Sequence, residues 1–209
     1  MKRTTVINLR NSKFLNSVKG NYLVIIFAIV FIIGLTLGTF WVAKNSTIQN
    51  IALEEFNVFK TVRQNNKIFK VFLISIFDVL PFALIVFLCG TSFIGIALTP
   101  LVICFFGFKF GVFSGFLYMN FMLKGIAFNA LLLIPTMLFC AIALFILGRN
   151  AFSFSLLLAR ISLPGGQAVN LYNFFQNYCK KFLLIFILFI LSAIIDAVMS
   201  VSFIRFFDI

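Results

Sequence analysis

The sequence predicts an all-α fold: a polytopic transmembrane helical bundle of about five spans with one or two interfacial amphipathic helices. Three observations carry that prediction. The 209-residue chain is 63% hydrophobic and only 11% charged, against roughly half and a quarter in globular domains, so the apolar excess must face lipid. The stretch from Cys89 to Gly148 carries just two charges, Lys109 and Lys124, which a water-soluble core does not need and a bilayer does. The net charge of +12 comes from Lys and Arg that flank apolar runs. That placement fixes topology and meets anionic head groups, and it does not form the single basic face of a nucleic-acid binder.

Residues 1–19 hold Lys2, Arg3, Arg10, Lys13 and Lys19 and no acid, so they read as a cytoplasmic basic segment ahead of a single transmembrane domain over 20–209. The first span, 20–43, is uncharged and at 1.5 Å per residue makes about 36 Å of helix, enough to cross with some tilt. It is too long for a signal-peptide core, and no small-residue cleavage site follows. It is expected to stay as a signal anchor with its N-terminus inside. Gly34 and Gly38 form a GxxxG step in it, which lets a second helix approach closely.

Residues 44–70 are polar by comparison, with Glu54, Glu55, Lys60, Arg63, Lys67 and Lys70. Ala52, Phe56, Phe59 and Val62 fall near helical spacing, which predicts an amphipathic helix lying on the membrane surface. The second span, 71–88, contains Asp78 and Pro81. The proline frees a carbonyl a turn earlier and is expected to kink the helix. A carboxylate inside a span is costly and calls for a partner or a polar contact.

The connection Gly90-Thr-Ser-Phe-Ile-Gly95 leads into the third span, 92–121. Thr99-Pro100 is expected to bend it early, and its length leaves open a division into a re-entrant piece and a span. Gly107, Gly111 and Gly115 at steps of four make a groove along one side, expected to face a helix of the same chain, with Phe113 facing lipid. Lys109 either snorkels or pairs with Asp78 or Asp196. The fourth span is 125–148, with Pro135 near its centre. Pro164-Gly165-Gly166 marks a turn. Val169, Tyr172, Phe175 and Cys179 then recur at helical steps, predicting an interfacial helix before the fifth span, 182–204, which contains Asp196.

Catalysis is not indicated. The chain has no His, no Walker A, GxGxxG or HExxH motif, and its five acids are scattered. Catalytic, cofactor-binding and metal residues are therefore read as none. Cys89, Cys104, Cys140 and Cys179 lack C-x-x-C spacing and read as apolar-environment thiols. The candidate residues are instead those for helix packing (Gly34, Gly38, Gly107, Gly111, Gly115) and the intramembrane ionisable set Asp78, Lys109 and Asp196. That set motivates an alternative reading as an accessory component of a transport or export system.

Over residues 20–205 the pattern resembles the stage II sporulation protein M family of Gram-positive bacteria. The resemblance rests on Gly34-x-x-x-Gly38 followed by Thr39, on Gly90-Thr-Ser-Phe-Ile-Gly95 with Pro100 beyond it, and on Gly107, Lys109, Gly111 and Gly115. Gly125, Ile134-Pro135, and an apolar helix ending at Gly148 and continuing into Phe152 and Ser153 complete it. Family members often follow the isoleucine-proline with polar residues, where this chain has Thr136-Met137-Leu138. The resemblance implies a non-enzymatic membrane scaffold that holds septal peptidoglycan-degrading proteins, stage II sporulation proteins D and P, at the membrane during forespore engulfment. Relatives in circular bacteriocin gene clusters imply the transport-accessory alternative of secretion or immunity.

Overall fold

A computed structural model describes residues 7–64, 68–162 and 171–203, with side chains from Tyr22 onward within those ranges. The helices are α1 (Ile7–Lys44), α2 (Ser46–Gln64), α3 (Ile68–Gly90), α4 (Gly95–Phe128), α5 (Ile134–Ser162) and α6 (Leu171–Phe203), with a π-helical turn at Asn129–Leu133 between α4 and α5. Residues 1–6 of the basic N-terminal segment and the Pro164-Gly165-Gly166 turn lie outside the described residues.

The chain reverses inside α4. Met122 has φ 47° and ψ −122° and is the one non-glycine residue with positive φ among those described. Beyond it the helix folds back. A Cβ on Gly125 would meet the Leu117 carbonyl oxygen at 2.2 Å, and Gly148 lies against Ile103 and Thr99. The third span is therefore one unbroken helix from Gly95 to the residue before Met122, about 40 Å long, with no re-entrant piece. α4 continues through Pro100, and α3 through Pro81, without a break in helical backbone. Pro135, lacking an N–H, follows the π turn, in which the Ile134 N–H bonds Asn129, five residues back. A π turn is a common way to absorb an irregular position in a helix.

Side-chain register gives the relative directions. Phe82 meets Phe105 and Phe106 while Asp78 meets Lys109, so α3 and α4 are antiparallel. Phe87 meets Tyr178 and Ser75 meets Asp196, so α3 and α6 are antiparallel. By the same reasoning α5 and α6 are antiparallel, and α1 and α5 likewise. α1 and α4 run in the same direction, since Phe31, Leu35 and Thr39 meet Gly107, Gly111 and Gly115 in turn. The result is five apolar passes, α1, α3, the first limb of α4, α5 and α6, with α5 touching the other four. Phe27, Ile103, Phe106, Leu144 and Leu147 fill the main core.

Two expectations are corrected here. The apolar stripe of α2 faces protein and not lipid: it closes one end of the bundle, where Phe56 makes tilted and edge-on contacts with Phe113, Phe116, Phe121 and Phe128. Phe113 is consequently buried, and not lipid-facing, because α2 covers it. The interfacial helix expected before the fifth span is also not a separate element among the described residues: from Leu171 onward it is continuous with α6, and Val169 lies outside the described residues. Its Tyr178 is buried and donates its hydroxyl to the Phe87 carbonyl at 2.9 Å.

Candidate functional site

Three features tie the helices to one another: a buried ion pair, an ion pair on the surface of the bundle and a close-packed glycine seam. The first pair joins α2 to α6. Phe56, Phe59 and Arg63 recur at helical steps on α2, so the arginine follows the apolar stripe inward. Its Nη2 lies 2.5 Å from Asp196 Oδ2 and its Nε donates to Ser200 Oγ at 2.9 Å. The guanidinium carbon sits 3.4 Å from the centre of the Phe59 ring, a cation–π contact.

Asp196 is otherwise satisfied by Ser75 of α3, whose hydroxyl donates to Oδ2, and by Ser200, which donates to Oδ1 at 3.2 Å. Both charged side chains are over nine-tenths buried. Burial pulls the Arg63 guanidinium below its ordinary pKa, and the Asp196 carboxylate opposes that shift. Arginine's very high intrinsic value keeps it charged. The cluster sits about 10 Å inside the ends of α3 and α6 and ties α2, α3 and α6 together. Among the described residues no buried side-chain nitrogen or oxygen lacks a hydrogen-bond partner, which is what makes a buried pair tolerable.

The second pair joins α3 to α4: Lys109 Nζ donates to Asp78 Oδ1. Of the two acids open to Lys109 from the sequence, the structure pairs it with Asp78. Unlike the first pair, this one is on the surface, with side-chain exposures of 31% for Lys109 and 53% for Asp78.

The seam is the contact of α1 with α4. A Cβ on Gly34 would lie 2.1 Å from the Cys104 carbonyl oxygen, and one on Gly38 2.3 Å from that of Phe108. From the other side, Gly107 would meet Phe31 O at 2.4 Å and Gly111 would meet Leu35 O at 2.1 Å, while Gly115 would meet Val42 Cγ1 at 2.7 Å. The five glycines thus interleave, and backbone rests on backbone. The linker motif is held equally closely. Gly90 touches Tyr178 and Ala151, and Ser155 of α5 donates to the Ser92 carbonyl at 2.6 Å.

The sequence reading missed Arg63 as a site residue. The signal was present: 52, 56, 59 and 63 form a better helical stripe than 52, 56, 59 and 62, and a buried Asp196 demands a cation. The four cysteines are free thiols, with Cys140 Sγ 3.0 Å from Ser192 Oγ. Among the described residues no cluster of His, Cys, Asp and Glu is placed to hold a metal.

Compared with known proteins, the chain matches the family model described as Stage II sporulation protein M over residues 27–201. That stretch contains the seam and both ion pairs. No curated protein and no solved structure matches it.

Proposed function

Because the chain belongs to the stage II sporulation protein M family, we propose that it is a non-enzymatic membrane scaffold that holds septal peptidoglycan-degrading proteins at the membrane during forespore engulfment. The family match carries this reading. The use of the buried intramembrane charge supports it: Asp196 is bonded through both oxygens, to Arg63, Ser75 and Ser200. Groups spent on fixing helices to one another are those of a rigid platform. The partners this reading names are stage II sporulation proteins D and P. Purification from mild detergent should bring down a membrane-anchored cell-wall hydrolase, and a deletion strain that completes engulfment normally would sink the proposal.

A transport-accessory role is the second reading, and the exposed Lys109–Asp78 pair is the observation that favours it, since a surface charge pair inside a span can line an aqueous path. If Asp78→Asn leaves every transport and immunity phenotype intact, that reading loses its support.

A further inference from the structure

The Asp78–Lys109 pair is in the wrong place for a monomer. Asp78 lies about 15 Å from the Ile68 end of α3 and about 18 Å from the Gly90 end, close to mid-membrane. Its side chain is half exposed, and the residues flanking the pair are exposed and apolar: Phe77 precedes Asp78 in α3, and Phe105 lies one turn from Lys109 in α4. In lipid, the free carboxylate oxygen and the remaining ammonium protons have nothing to bond, and unsatisfied polar groups there are costly. The buried Arg63–Asp196 pair shows how the same fold treats a charge it encloses, with every oxygen and the Nε matched. The surface pair has no second layer of this kind.

We propose that a second copy of this chain covers the pair, through a two-fold dimer built on the α3–α4 face. The argument is charge complementarity imposed by symmetry. Copies in one membrane with the same topology are related by an axis along the membrane normal. The two charges sit at the same level on adjacent antiparallel helices, acid on α3 and base on α4, so the pair's dipole runs across the face and not along it. A half-turn about the normal reverses such a dipole. The partner's acid then lies opposite Lys109 and the partner's base opposite Asp78, a closed square of alternating charge that satisfies the atoms lipid leaves bare. The glycine seam offers no competing dimer face, since α1 and α4 occupy it within one chain.

The test uses the full chain in native membranes, carrying two distinguishable tags. Asp78→Lys alone places four ammonium groups at the axis, and Lys109→Asp alone places four carboxylates. Each should lower recovery of the second tag by about tenfold or more. Co-expressing the Asp78→Lys chain with the Lys109→Asp chain sets two lysines against two acids and should restore recovery, as a heterodimer only. A pair that served only to hold α3 to α4 within one chain would show no such rescue, and absence of rescue overturns the proposal. Should the reversals fail to accumulate, a photo-reactive phenylalanine at Phe105 gives an independent reading. It should yield a cross-link at twice the chain's mass, while the same group at Ile187, exposed on α6, should not. A cross-link from position 105 to a different protein, or to lipid alone, overturns the proposal as well.

Discussion

Arg63 and Asp196 show how one residue can decide the placement of a whole helix. Removing a single partner of a buried pair leaves a bare charge, at a cost of about 3–5 kcal/mol, whereas replacing both with apolar residues of similar volume is near neutral. Arg63→Ala should therefore lower the thermal aggregation midpoint markedly, and the double variant Arg63→Met with Asp196→Leu should recover most of the loss. If the double variant is no better than the single, the pair acts through Ser75 and Ser200 more than through charge. Met122 makes a separate prediction. Its φ of 47° is a conformation glycine adopts without steric cost. It is 75% exposed, so its side chain contributes little packing. Met122→Gly should be neutral or stabilising by up to about 1–2 kcal/mol, and Met122→Val destabilising by a similar amount. Equal midpoints for the two would mean the hairpin turn is not strained. The stripe that carries Arg63 was legible, but its partner was not, because Asp196 lies 133 positions away; nothing local marks Met122 as a reversal.

At the scale of elements, the period of four in Gly107, Gly111 and Gly115 was readable, because only a close helix needs missing side chains at that interval. What it packs against was not, since parallel α1 and α4 meet through residues some seventy positions apart. The seam predicts that Gly111→Leu, which would drive a side chain into the Leu35 carbonyl, costs on the order of 1–3 kcal/mol. The proper lipid-facing comparison is Leu101→Ala on the same helix. Leu101 is exposed, so its variant should accumulate and resist heating like the parent. Phe113 cannot serve, because α2 buries it. If Gly111→Leu is as stable as Leu101→Ala, the seam is looser than its geometry. The misreading of α2 has a physical root too: an amphipathic stripe says that one face seeks apolar company, but lipid and the end of a bundle satisfy it equally well.

For the whole molecule, five passes put two groups of connections on opposite faces. The α1–α2 junction at Asn45 and the hairpin tip at Leu123 lie with α2 at one end, as the Phe56 contacts to Phe121 and Phe128 require. The Thr91–Ser92 link and Arg160 lie at the other, where Ser155 meets Ser92. Composition predicts a membrane bundle, and for its orientation the five cations of residues 1–19 compete with Lys44, Lys60, Arg63, Lys67 and Lys70 on the other side of the first span. The structure alters that contest. Arg63 is neutralised by Asp196 within the bundle and drops out of the count for its side, while Lys180 and Lys181 stay at the opposite end. The positive-inside rule then predicts a cytoplasmic Thr91 face. Cysteines introduced singly at Asn45 and at Leu123 should react with a membrane-impermeant maleimide added to intact cells, and cysteines at Thr91 and Arg160 should react only after permeabilisation. Reversal of both groups would overturn the orientation but keep the fold. Labelling of Asn45 and Leu123 from opposite sides would break the reversal at Met122, and the five-pass bundle with it.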